Sequence, residues 1–186
     1  MKFVSPAICS AAIFLLCASA AATTLARMTV GQMTQASKLV VRAKCLGNST
    51  GWDAGEIWTF SEFQVEDAWK GTPPSNLTVR LLGGRAGNLA SSVPGVPRFR
   101  TGEEVVLFLE PTRKSDFSVV SWVQGTFRIR RNTRTGEEWA AQDTADFILP
   151  GTAAESSTTR SALGMRVAAL HARVAAAVNT QDGRKP

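Results

Sequence analysis

Glu56-Ile57-Trp58-Thr59-Phe60-Ser61-Glu62-Phe63-Gln64-Val65 alternates with a period of two, the signature of a strand and not of a helix. Ile57, Thr59, Ser61, Phe63 and Val65 share one face, and Trp58, Phe60, Glu62 and Gln64 share the other. Two aromatic rings on the second face imply that something covers that end of the strand. Towards the N-terminus, Lys38 to Leu46 alternates in the same way, and Asn48 to Gly55 reads as a glycine-rich loop joining two long strands into a hairpin. Towards the C-terminus, Trp69-Lys70-Gly71-Thr72-Pro73-Pro74 breaks the ladder, because proline donates no hydrogen bond, and Leu77 to Leu82 supplies a third strand. A long glycine- and proline-rich excursion, Gly83 to Pro97, marks an exposed functional or capping loop. Val105 to Leu109 is continuously apolar, as in a strand buried on both faces, and Pro111 ends it. Ser118 to Val123 and Thr126 to Arg131 alternate across Gln124-Gly125, a tight turn or a bulge bending one strand around a corner. Asn132 to Gly136 is a hairpin loop before a weak strand at Glu138 to Gln142, so roughly five to seven strands are expected.

Helices flank this run. Thr29-Val30-Gly31-Gln32 has capping-box spacing, and Met28, Met33 and Ala36 give a helix of about two turns one apolar side. From Glu155 onward, Leu163, Val167, Leu170, Val174 and Val178 recur at helical spacing, predicting an amphipathic helix of about five turns capped by Ser156 or Ser157. Trp58 and Trp122 are its expected seat, while Trp52 and Trp139 stand at loop edges. The whole reads as a mainly β domain, a small antiparallel barrel or sandwich with a short N-terminal helix and a C-terminal amphipathic helix. Closure into a barrel is favoured because long alternating strands in an open sheet leave exposed edges.

Compartment follows from residues 1–22. Lys2 gives a charged start, Ala7 to Leu16 is apolar, and Ala18-Ser19-Ala20 and Ala20-Ala21-Ala22 are small-x-small cleavage sites, so the segment reads as a signal peptide. It is too short for a membrane span, and no stable membrane insertion is expected after cleavage. A secreted or periplasmic domain, residues 23–180, and a flexible tail, residues 181–186, remain. Of three cysteines, Cys9 and Cys17 leave with the signal. Cys45 is left alone, in phase with Leu39, Val41 and Ala43, and is expected to be buried rather than nucleophilic.

The formal charge is +6, with basic residues at Arg98, Arg100, Arg113, Lys114, Arg128, Arg130, Arg131 and Arg134. Such a cluster faces an anionic partner or serves as a solvated strand face. Catalytic inventory is thin. Gly47-Asn48-Ser49-Thr50-Gly51 matches the nucleophile-elbow pattern, but Trp52 to Gly55 leads into a strand and supplies no helix N-terminus. Its triad depends on His171, the one histidine of the chain. With one histidine and one mature cysteine, nitrogen and sulfur metal ligands are lacking, and Asp143-Thr144-Ala145-Asp146 is too sparse for calcium. Glu103 or Glu104 with Glu137 or Glu138 is a formal glycosidase pair, but both lie in predicted turns where carboxylates are solvated. Gly83-Gly84-Arg85-Ala86-Gly87 follows a strand but lacks the Lys-Ser/Thr of a phosphate loop.

Three stretches, Ser37-Lys38-Leu39-Val40-Val41-Arg42-Ala43, Phe63 to Trp69-Lys70-Gly71, and Phe99-Arg100-Thr101-Gly102-Glu103-Glu104 to Leu109, carry a resemblance. Together they look like the netrin-like and metalloproteinase-inhibitor barrels, and like uncharacterised secreted bacterial proteins of similar layout. The resemblance spans roughly Ser37 to Gln142 and implies an OB-like barrel of five or six strands, exported, acting by binding and without catalysis. One departure bears on mechanism: those inhibitors chelate zinc through an N-terminal cysteine, and no cysteine follows the cleavage sites before Cys45. The barrel's disulfides are absent too, so protease inhibition by that route does not carry over.

The expected function is that of an exported, non-catalytic binding module for an extracytoplasmic protein or anionic polymer, without cofactor or metal. Arg85, Arg98, Arg100, Arg128 and Arg130 are the candidate binding residues. Export disfavours nucleic acid as the partner. The alternative is a secreted serine hydrolase using Ser49 and His171. N-terminal sequencing of the exported protein is expected to begin at Ala21 or Thr23; a chain retaining Lys2 contradicts cleavage.

Overall fold

The computed structural model describes residues 27–142 and 164–183. The signal segment, Asp143 and Asp146, Glu155, the cap residues Ser156 and Ser157, Leu163 and residues 184–186 of the tail lie outside the described residues. The chain is mainly β. Helix α1 (Val30–Ala36) carries the expected capping box: Gln32 N donates to Thr29 Oγ1 at 3.2 Å and Thr29 N to Gln32 Oε1 at 2.8 Å.

Strands β1 (Leu39–Asp53) and β2 (Glu56–Lys70) are 15 residues each and pair antiparallel around Ala54 and Gly55, whose φ values are 51° and 84°. Two left-handed residues suffice for such a turn. Residues 48–53 are therefore strand and not loop, and β2 runs five residues past Val65, to Lys70. The expected hairpin is present but longer, with Gly47 opposite Glu62 and Gly51 opposite Trp58 in the ladder.

β3 (Asn76–Leu82) pairs with β2, and the excursion after it folds into a small hairpin, β4 (Gly84–Ala86) with β5 (Leu89–Ser91). β6 (Glu104–Pro111) pairs with β1, from Leu39 opposite Leu109 to Lys44 opposite Glu104. β7 (Phe117–Val119) lies antiparallel to β6 and parallel to β3. The ring β1-β2-β3-β7-β6 thus closes on itself through β1 and β6, a five-stranded barrel of OB type.

The corner predicted near Gly125 is real, but the strand before it ends at Val119, short of Val123. Ser121 and Trp122 both take φ of 53°, and a 3-10 turn (Trp122–Gly125) carries the chain off the barrel. β8 (Thr126–Arg131) then resumes on the same edge of β6, opposite Val105 to Leu107, where β7 had paired with Leu109 to Pro111. β9 (Glu138–Gln142) and β10 (Gly164–Arg166) extend the same sheet outward beyond β8, giving ten strands among the described residues where five to seven were expected. Helix α2 (Val167–Asp182) follows directly. It begins later than its periodicity suggested, because Gly164 to Arg166 are taken up in pairing with Trp139 to Ala141.

Two cores result. Leu39, Val41, Ala43 and Cys45 of β1 join Phe63, Val79, Val105, Leu107 and Leu109 inside the barrel. Val40, Val106 and Phe108 point the other way, against Met33 of α1, Phe127, Ala140, and Leu170 and Val174 of α2. The helix sits on Trp69, not on Trp58 or Trp122: Trp69 packs in this second core and meets His171 at 4.9 Å between ring centroids. Lys70 donates to Thr34 O at 2.5 Å and Ser37 O at 2.7 Å, taking up carbonyls at the end of α1. At Gly71, φ is 76°, and a Cβ there would stand 2.7 Å from Lys38 O. Trp69-Lys70-Gly71 therefore seats α2, ties down α1 and lets the backbone turn under β1.

A Cβ at Gly125 would collide with the Val120 carbonyl oxygen, whereas Gly51 has open space around it. Gly125→Ala is expected to destabilise by about 2 kcal/mol through overpacking, and Gly51→Ala by less than about 0.5 kcal/mol. Urea unfolding of both variants checks the difference; equal midpoints contradict the tight corner.

Candidate functional site

Arg98, Phe99 and Arg100 alternate like a strand. Phe99 is buried and meets Phe63 edge-on at 4.9 Å, plugging the barrel, so the flanking arginines are turned outward and exposed. The backbone around them is held: Asn48 Nδ2 donates to Phe99 O at 3.1 Å, Val123 N to Gly95 O at 3.1 Å, and Gly102 N to Cys45 O at 2.7 Å. Across from this loop, β8 places Arg128 and Arg130 on one side, while Phe127 and Ile129 pack in the second core.

Between loop and strand lies a cleft of about 570 Å³, lined among others by Val93, Pro97, Arg98, Arg100, Val123, Arg128 and Arg130. Four of the five candidate arginines therefore converge, although two come from the loop and two from a strand some thirty residues later. They are not equivalent. Arg128 is held by an ion pair to Glu103 and donates to Arg98 O at 2.8 Å, which fixes the loop against β8. Arg98 makes one weak contact, to Ser91 O at 3.4 Å, and the side chains of Arg100 and Arg130 form no ion pair with any described residue. With Arg128 offset by Glu103, three cations are left facing the cleft.

Arg100 and Arg130 also border a second hollow of about 420 Å³, with Thr101, Gly102 and Arg131. Arg85 is placed elsewhere. It is exposed on β4 and borders a hollow of about 220 Å³ at the barrel mouth, on the far side of the Pro97 to Phe99 wall, with Arg98 at the rim.

Several other basic residues are taken up by carboxylates, whereas Lys44, Arg113 and Arg134 form no ion pair with any described residue and do not line the cleft. Arg42 holds Glu138 at 2.7 and 2.9 Å, Glu104 at 2.7 Å and Glu66 at 3.2 Å. Arg131 adds a second cation to Glu138 at 2.6 Å, and Arg166 pairs with Glu137 at 2.8 Å. The glutamates expected to be solvated in turns are thus engaged by arginines. Hydrogen bonds from Arg42 and then Arg131 hold the Glu138 carboxyl down at about 2, so it stays ionised and is no general acid. At the far end of the hairpin, Arg80 lies 4.1 Å over the Trp58 ring and pairs with Asp53, which also binds Lys114. Arg80 is what covers the aromatic face of β2. Neither network was legible in the sequence, because its partners come from strands and turns far apart in the chain.

The hydrolase pair is not assembled. Ser49 is a strand residue opposite Phe60, whereas His171 rests on Trp69, beside the Val41 end of β1. Eight residues of strand separate those ends, about 26 Å at a strand's rise. Cys45 is buried as expected, and burial pushes its thiol up from the ordinary value. Among the described residues no group of three or more His, Cys, Asp and Glu is placed to hold a metal ion, and no helix is long and apolar enough to cross a membrane.

No protein-family model matches the chain, and no curated protein matches it.

Because the Glu138 carboxyl is lowered from 4.5 to about 2, its stabilisation is present above pH 4.5 and is lost as pH falls towards 2. Glu138→Gln is expected to destabilise by about 1 kcal/mol at pH 7, solvent screening included. Urea titrations at stepped pH should show the gap from wild type narrowing between pH 4.5 and 2; a pH-independent gap contradicts the ionised network.

Proposed function

We propose that this chain is an exported, non-catalytic binding module that takes an anionic extracytoplasmic partner, an acidic protein or polymer, against Arg98, Arg100 and Arg130. The observation that carries this reading is that three arginines without an ion pair converge on one cleft, while Arg42, Lys114, Arg128 and Arg131 are neutralised within the fold. Unpaired guanidiniums on a low-dielectric wall attract and orient carboxylate, sulfate or phosphate groups. Arg128 positions the loop and is not itself offered to the ligand. Arg85, expected from the sequence as a binding residue, borders a separate hollow and is not part of the cleft. The export signal read in residues 1–22 supports a secreted or periplasmic site of action, and the resemblance of Ser37 to Gln142 to netrin-like barrels, whose implied role is binding, supports a binding role.

Dextran sulfate serves as a simple probe. The triple variant R98A/R100A/R130A is expected to bind it at least about tenfold more weakly at low salt, with a shallower salt dependence. Its thermal midpoint should stay within about 2 °C of wild type, since none of the three makes an ion pair. Arg113→Ala, outside the cleft, is the control. Equal binding by wild type and triple variant sinks the cleft as the binding site.

A further inference from the structure

We infer that the cleft's ligand is a polypeptide, an extended acidic segment that places an apolar side chain between carboxylates; this deepens the arginine reading above and rests on it. The inner lining and the rim of the cleft differ in chemistry. Its apolar lining lies inward: Val123 and Pro97 are buried, and Val93 and Val96 half-buried. Above them stand the exposed guanidiniums of Arg98 and Arg100 on one side and Arg130 on the other.

A uniformly charged polymer satisfies the rim but has nothing to set against the valines and proline. Apolar surface covered by hydroxyls or sulfates gains no hydrophobic free energy, and it removes water from polar groups of the ligand without replacing their hydrogen bonds. A peptide answers both halves. In an extended chain successive side chains alternate in direction, so an apolar residue can point inward while its glutamate or aspartate neighbours reach the arginines. Carboxylate is also a planar acceptor suited to the guanidinium fork. About 570 Å³ lies within the ordinary range of ligand pockets. The adjoining hollow shares Arg100, Glu103 and Arg130 and adds Thr101, Gly102, Glu104 and Arg131; Glu104 is held by Arg42 and Arg131 by Glu138, so Arg100 and Arg130 are the cations it offers to a further carboxylate along the same chain. Glu103 does not oppose such a ligand, because its carboxylate is engaged by Arg128.

The experiment uses the exported protein and three fluorescent probes at one salt concentration: a ten-residue peptide with two leucines flanked by glutamates, deca-glutamate, and dextran sulfate. Anisotropy titration is expected to give the leucine-containing peptide about tenfold higher affinity than deca-glutamate, one such factor being about 1.4 kcal/mol. Val93→Ser should remove that advantage and leave dextran sulfate binding unchanged, while Val93→Leu should keep it. R100E/R130E should reverse the preference towards a peptide with lysines in place of the glutamates, a gain that a misfolded variant does not produce. If the two acidic peptides bind wild type equally, or Val93→Ser leaves the advantage intact, the polypeptide assignment is overturned while the arginine rim stands. If R98A/R100A/R130A binds every probe as wild type does, both readings fall.

Discussion

Burial of β1 and β6 on both faces is the constraint from which the rest of the architecture follows. Val105, Val106, Leu107, Phe108 and Leu109 are all fully buried, as are Val40 and Val41 opposite them. Each such side chain is worth about 1.5–3 kcal/mol when removed from water, so neither face of this strand pair can be left to solvent. On one side the sheet curls into a barrel and covers itself. On the other, the outward extension of the sheet through β8 and β9, with the two helices, covers Val40, Val106 and Phe108. The interruption at Ser121 and Trp122 makes both possible, because it lets a single edge of β6 serve the barrel through β7 and the outward extension through β8.

Where the apolar cover ends, paired charge takes over. Along the outer face of β1, Val40 lies under the helices, and Arg42, two residues on, meets three glutamates from β2, β6 and β9. At the other end of the hairpin Arg80 lies over Trp58 and bonds Asp53, with its Nε buried and without a hydrogen-bond partner. These arginines act as ties between strands. Their role separates them from Arg98, Arg100 and Arg130, which lie on the same molecule, have the same chemistry and lack carboxylate partners. A shared cleft further separates them from Arg113 and Arg134, which also lack an ion pair among the described residues but stand outside it.

Local pattern made a good part of this visible in the chain. The capping box at Thr29 and Gln32, the alternation from Glu56 to Val65, the apolar run of β6 and the burial of Cys45 are all short-range consequences of residue type and spacing. The misreadings share one cause, which is that pairing overrode local composition. Glycines 47 and 51 suggested a loop, but their backbones are held in register by β2. Gly164 to Arg166 suited a helix by periodicity, but β9 offered them a ladder. Trp69 does lie at the end of a strand, but it is also the seat of a helix whose docking surface is set only once the barrel closes.

Taken alone, then, the amino-acid order determined the main strands and the two helices apart from their ends, and which strand is buried on both sides. Those properties are set within a few residues by side-chain alternation and helical spacing. Which arginines are spoken for was decided only by tertiary structure, because Arg42 finds its glutamates 24, 62 and 96 residues away. Charge neutralisation acts through space over a few ångströms, and only the closed barrel brings Glu103 to Arg128 while leaving Arg98, Arg100 and Arg130 facing the cleft unpaired.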